Sequence, residues 1–195
     1  MIKRPLSLFF KIIENEIDTI VENAIQKKAF PGCQILIAQK NNILFKKNYG
    51  SYTYDDKRLI NDNTIYDLAS LTKVMATTLA IMKLYEDGKI DLNAKLSKYL
   101  PETKNSNKSN IPIYRLLTHT AGLQAWIAFY KATLNNDNSF REELWKEEYS
   151  PDYALNVAKN EYLRTDYADT ILTQIINSPL RKDTSYLYSD MGFYL

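Results

Sequence analysis

The sequence predicts an α+β fold of the α/β-sandwich type. Three observations carry it. The chain opens on a long run with apolar residues at helical spacing. Two strand-like runs joined by a tight turn follow. Nearly everything assignable after residue 67 returns to helical spacing. A helical region inserted after an incomplete sheet also suits an α/β arrangement, and the order alone does not separate the two. At 195 residues the chain suits a single domain, residues 1–195. Its parts are a helix and hairpin over 8–50 and a helical region over 67–195.

Residues 8–28 read as the first helix. Ile13, Ile17, Ile20, Val21, Ala24 and Ile25 share one stripe, Lys27 and Lys28 suit the C-terminal dipole, and Pro31-Gly32 stops it. "CQILIAQK" and "ILFKKNYG" then form a hairpin about Asn41-Asn42, since asparagine tolerates the positive φ of a tight turn. Ile35 and Ile37 alternate with Leu36 and Ala38, so both faces are apolar and a sheet covered on both sides is expected. Residues 51–66 are polar and turn-rich. A helix is expected from Leu68 to Glu86, capped by Asp67 and ended by Gly88, with Val74, Thr77, Thr78, Ile81, Leu84 and Tyr85 facing inward. "IDLNAKLSKYLPE" predicts a short helical turn closed by Pro101, and "IPIYRLLTHTAGL" a helix running to a stop at Gly122. The Tyr-rich stretch 134–165 has no clear period. "YADTILTQIINSPL" is helical again up to Pro179, and "MGFYL" looks like the start of another helix.

Bulk composition excludes several functions. With 25 basic and 23 acidic residues the net charge is +2, which gives no reason to expect a nucleic acid partner. Lys104 and Lys108, set among Asn and Ser, read as a solvated loop. The one cysteine, Cys33, permits no internal disulfide and reads as a structural thiol in an apolar run. One histidine and no paired-cysteine motif leave no usual zinc pattern, so no metal and no cofactor is expected. No apolar run reaches the roughly 18 residues of a membrane span. In the opening "MIKRPLSLFFKIIENEI", Lys11 and Glu14 interrupt the apolar stretch too early for a signal peptide.

The stretch "YDLASLTKVMATTLAIMKLYEDGK" places Ser70 three residues before Lys73. On a helix those positions share a face, so hydroxyl and amine can approach hydrogen-bonding distance. A serine hydroxyl needs a base to take its proton, and a lysine serves only when neutral. Its reference pKa of about 10.4 must fall, and both the helix dipole and desolvation at a first helical turn act in that direction. The serine N–H at such a turn lies outside the helix ladder and suits an oxyanion. Roughly one Ser-x-x-Lys match is expected by chance in a chain of this length, so the motif alone is also compatible with two polar surface residues.

Two further stretches, "LLTHTAGL" at 116–123 and "YLYSDMGFYL" at 186–195, join "LASLTK" in the right order. Together they resemble the serine β-lactamase and penicillin-binding protein superfamily, in its class C β-lactamase and D-alanyl-D-alanine carboxypeptidase branch. Stretches such as "GLQAWIAFYK" look closest to β-lactamase-like domains fused to family 3 glycoside hydrolases in some bacterial N-acetylglucosaminidases. The resemblance runs from about Phe30 to Leu195. It implies a β-lactamase/transpeptidase-like fold whose C-terminal sheet strands are absent from this chain. Ser70 and Lys73 match the first family motif, and Tyr188 matches the tyrosine of the second, Tyr-x-Asn. Asp190 stands where the branch usually has Asn, which puts substrate hydrogen bonding there in doubt.

By this resemblance the reaction is acyl transfer. Ser70 forms an acyl-enzyme with a peptidoglycan-like peptide, a β-lactam or an ester. Lys73 and Tyr188 share the proton traffic, and Asp190 sits at the substrate. A phenol with a reference pKa near 10 needs an adjacent lysine charge to favour phenolate. The family's third motif, Lys or His then Thr or Ser and Gly, does not occur after Tyr188. The chain is therefore expected to be the front part of a longer protein, weak or inactive alone. Losing one oxyanion donor typically costs about 100- to 1000-fold.

His119 is expected in a structural loop rather than as a base. Trp126, Phe129, Tyr130 and Trp145 are read as packing residues before a peptide or sugar groove, and Glu142, Glu143, Glu147 and Glu148 as a solvated face. The competing function is a non-catalytic binding module that retains the fold, working with a fused glycoside hydrolase. Family resemblance implies a periplasmic or extracellular location.

Overall fold

The structure, a computed structural model, describes residues 6–195. The opening basic residues Lys3 and Arg4 lie outside the described residues. The chain divides into two compact units, one up to Asp67 and one from Leu68 on.

In the first unit, helix α1 (Leu6–Gln26) precedes an antiparallel hairpin of β1 (Gly32–Gln39) and β2 (Asn42–Gly50). Ile17, Val21 and Ile25 of α1 pack with Phe30, Cys33, Ile35, Phe45 and Tyr49. Burial raises the pKa of the Cys33 thiol, consistent with a structural thiol. Tyr49 donates its hydroxyl to Asp18 Oδ1 at 2.6 Å, and Lys47 Nζ lies 2.7 Å from Oδ2, which ties helix to sheet. Gly50 is required by geometry: its φ is +67°, and a Cβ would run into the Pro31 carbonyl.

Two expectations for this unit need correction. The turn falls at Lys40-Asn41, one residue earlier than expected, and Lys40 takes the positive φ of 53°. A bulge opposite Ile37/Ala38 takes up a residue of β2 and shifts the pairing, so that Asn42 already pairs with Gln39. The hairpin is also not covered on both faces. Cys33 and Ile35 turn to the helix, whereas Leu36 is 57% exposed on the other side.

The second unit begins with a turn through Ala69 and Ser70. Helical residues start at Leu71, pass through a π turn at Lys73–Thr77, and continue as α2 (Thr78–Glu86). The start is later than the expected Leu68. The left-handed φ of Ala69, +42°, is the reason, because it bars the helix from extending back to Asp67. Gly88 ends the helix in the left-handed conformation, as its position suggests. The expected inward stripe is corrected: Val74, Leu84 and Tyr85 are exposed, and neither the π turn nor α2 holds a buried residue. Apolar residues surround this helix, so their spacing singles out no face.

Short elements follow: α3 (Leu96–Tyr99), a 3₁₀ turn (Pro101–Thr103) and α4 (Ile113–Leu117). The last ends well before Gly122, because His119 turns the chain at φ +56°. A small sheet of order β3-β5-β4 occupies the unassigned stretch, with β3 at Trp145–Lys146, β4 at Leu155–Ala158 and β5 at Glu161–Leu163. Helices α5 (Tyr167–Asn177) and α6 (Met191–Tyr194) complete the unit. Its core gathers Leu96, Ile111, Ile113, Leu116, Leu123, Ile175 and Met191.

Lys108 overturns the solvated-loop reading: it is 0% exposed. Its ammonium donates to Ser178 O at 2.6 Å, Asn107 Oδ1 at 2.9 Å and Ile176 O at 3.0 Å. It therefore satisfies carbonyls that the end of α5 leaves without helical partners.

Candidate active site

Ser70 sits at the mouth of the helix, exposed, immediately after the left-handed Ala69. Alanine in that conformation costs energy that the surrounding structure must offset. The Ser70 carbonyl accepts the Lys73 N–H at 3.1 Å, closing the first turn. That turn puts the Lys73 Nζ 3.2 Å from Ser70 Oγ, as the spacing predicts. The Thr78 hydroxyl donates to the Lys73 carbonyl at 2.8 Å and fixes the π turn behind the lysine.

The segment 186–190 meets this face from the far end of the chain. Hydrogen bonds hold it to the loop after α4. Leu187 N–H donates to His119 O at 3.0 Å, Ser189 N–H to His119 Nδ1 at 3.1 Å, and Asp190 N–H to Ala125 O at 3.0 Å. The buried Ser189 hydroxyl donates to Gln124 O at 2.6 Å. Behind it, Gly192 of α6 lies so close to α4 that a Cβ would meet the Leu116 carbonyl at 3.2 Å.

Lys73 Nζ is 2.7 Å from Asp190 Oδ1 and lies 5.3 Å from the centre of the Tyr188 ring. Its side chain is only 15% exposed, and that of Asp190 26%. Ser70, Lys73, Tyr188 and Asp190 thus share one site. The charge state of the amine is a correction. Instead of falling toward a neutral amine, the Lys73 pKa is raised, chiefly by the Asp190 carboxylate, against the opposing effect of burial. The dipole and desolvation arguments are local to the helix; the deciding charge arrives from elsewhere in the chain.

His119 was expected only as part of a structural loop. Its ring tilts over Tyr188 at 4.5 Å between centres, with Phe193 at 5.4 Å and Tyr186 edge-on at 5.9 Å. Burial lowers its pKa, so the imidazole is neutral and serves as a wall and acceptor that position Tyr188. No sequence signal singled out Gly192 or the left-handed Ala69. Trp126 and Tyr130 are exposed, whereas Trp145 donates its indole N–H to Thr133 O at 3.2 Å and stacks on Phe140. The four glutamates lie on the surface, as expected. No cluster of three or more metal-ligating side chains occurs among the described residues.

The beta-lactamase family model matches residues 17–195. The chain belongs to the beta-lactamase family. Protein flp of Staphylococcus aureus strain MW2 is 36% identical over 132 residues, 66% of this chain and 26% of that protein. A class C beta-lactamase structure superposes with a TM-score of 0.66 at 19% identity, covering 94% of this chain and 42% of that one. The octameric penicillin-binding protein homologue from Pyrococcus abyssi gives 0.63 at 19% identity, covering 92% and 36%. These superpositions establish the beta-lactamase/transpeptidase-like fold, here a mixture of helices and strands. The chain spans about a quarter of the length of the flp relative and less than half of both solved structures.

Proposed function

We propose that this beta-lactamase-family chain carries the nucleophile of a serine hydrolase or acyltransferase. It forms an acyl-enzyme on Ser70 with a peptidoglycan-like peptide, a β-lactam or a small ester. The supporting observation is the Lys73 ammonium between Ser70 Oγ at 3.2 Å and the Tyr188–Asp190 segment. In this reading Ser70 attacks the carbonyl carbon and its proton passes to the Tyr188 oxygen. The step needs Tyr188 as its phenolate, which an adjacent ammonium favours, and the same ammonium attracts the negative charge that develops on Ser70 as its proton leaves. Collapse of the adduct moves the proton to the leaving group, and water then releases the acid. In this reading the Ser70 N–H, at the helix mouth, receives the oxyanion. No helix among the described residues is long and apolar enough to cross a membrane; a periplasmic or extracellular setting suits the substrates.

The Lys73–Asp190 pair also favours a second reading. An ammonium held by a carboxylate is a poor base, as expected of a binding module that keeps the fold and has lost the reaction, alone or beside a glycoside hydrolase. A fluorescent penicillin and a fluorophosphonate probe separate the two. Labelling of the full-length protein that disappears in Ser70→Ala supports the hydrolase. Failure of both probes to label the unsubstituted full-length protein supports the module.

A further inference from the structure

The small sheet of the second unit carries a cleft of about 500 Å³ that the acyl-transfer reading leaves unused. That size lies within the roughly 300–1,000 Å³ of small-molecule sites. Its apolar part is an aromatic slab. Trp145 of β3 packs on the cluster of Leu144, Leu163 and Tyr167. Phe140 stacks on Trp145, with 4.5 Å between ring centres and 19° between planes. One carbonyl steadies both residues: Thr133 O accepts the Trp145 indole N–H at 3.2 Å and the N–H of Arg141, next to Phe140, at 3.0 Å. The Asn135 side-chain amide ties the preceding loop, donating to Phe140 O at 3.2 Å and Ser139 Oγ at 3.0 Å. The stack uses one face of each ring, and Phe140 stays 45% exposed. A flat apolar surface is thus presented already ordered, so a ligand would have little left to immobilise.

Beside the slab stand the carboxylates of Glu142, Glu147 and Glu161, the ammonium groups of Lys146 and Lys159, and the Asn160 amide. Asn160 turns the chain between β4 and β5 at φ +58°. None of the five charges enters an ion pair among the described residues, although Glu161 is half-buried. Three negative and two positive groups nearly cancel, which selects against a phosphate or a metal ion. The same groups offer acceptors and donors together. A pyranose ring matches that mixture. Each of its hydroxyls both donates and accepts, so it can meet a carboxylate, an ammonium or an amide. One face of the ring carries C–H bonds, whose hydrogens suit the negative face of an aromatic ring. We propose that the Phe140–Trp145 cleft is a saccharide-binding site. Neither Ser70, Lys73, Tyr188 nor Asp190 lines it, so the proposal does not rest on the acyl-enzyme reading.

Saturation-transfer NMR on the full-length protein tests this with three probes: cellobiose, N,N′-diacetylchitobiose and trialanine. The two disaccharides differ in their acetamido groups, and the peptide supplies donors and acceptors without a pyranose face. At least one disaccharide should receive magnetisation at its ring C–H protons, and trialanine should receive none. Phe140→Ala should weaken that binding by about tenfold, the worth of one good aromatic contact. Phe140→Tyr keeps the ring face and should retain it. Glu161→Ala should weaken binding with the slab left in place, and melting curves confirm that each variant is folded. Trp126→Ala removes a ring of the other exposed aromatic pair, Trp126–Tyr130, and should change nothing. Silence from both disaccharides overturns the inference. So does binding that survives undiminished in Phe140→Ala, or that is lost in Trp126→Ala instead. Trialanine binding that depends on Phe140 would make the cleft a peptide site and overturn the saccharide assignment.

Discussion

Two lysines of the second unit are drawn out of water in opposite ways. Lys108 is sealed completely and meets only neutral oxygens: two backbone carbonyls and an amide. Lys73 stays 15% exposed and meets a carboxylate, a phenol and a serine hydroxyl. Burial lowers the pKa of Lys108, and the facing carboxylate raises that of Lys73. The comparison teaches that depth alone does not set a lysine's chemistry. An ammonium among fixed carbonyls joins segments together. One among titratable groups beside a reachable hydroxyl can influence a reaction.

Exchanging each lysine in turn puts that contrast to the test. The largest effect is expected from Lys73→Met. Proton-transfer machinery typically contributes about 100- to 10,000-fold, and probe labelling of Ser70 should fall within that range. Melting temperature should move little, because a partly exposed ion pair contributes roughly 1 kcal/mol or less. A large loss of stability with labelling intact would reverse the assigned roles. Next comes Lys108→Ala. It leaves the Ile176 and Ser178 carbonyls buried without this donor, at about 1–3 kcal/mol each. Denaturant unfolding should show a loss of about 3 kcal/mol, with the Ser70 labelling rate unchanged below the new midpoint. Smallest is His119→Leu, which removes the acceptor of Ser189 N–H and the ring over Tyr188. An aromatic pair of this kind is worth about 1 kcal/mol, so labelling should slow by roughly tenfold or less. Unaltered labelling would mean that the stack does not hold the phenol in place.

Parts of this arrangement were legible in the sequence for stated physical reasons. Helix α1, the hairpin and α5 follow from apolar spacing, and the 3.2 Å approach of Lys73 to Ser70 from their three-residue separation. Tyr188 and Asp190 were reached only by resemblance, because no local rule brings a distant segment to a helix mouth. The raised pKa of Lys73 was missed for the same reason. Lys108 was misread because Asn and Ser neighbours look solvated, while its partners lie far along the chain at the end of α5. Strands β3, β4 and β5 have two to four residues each, too few to display an alternation. The left-handed Ala69 carries no composition signal, since glycine is the residue expected at such a φ.

The π turn at Lys73–Thr77 has a consequence for how this helix can change. It holds one residue more than an α turn, which rotates everything downstream by about 100° around the axis. Ser70 lies upstream of that turn, Lys73 is its first residue, and α2 lies downstream. A single deletion within the turn would redirect the later side chains while preserving the Ser70–Lys73 spacing. The helix thus contains a joint that lets its N-terminal tip and its body vary independently.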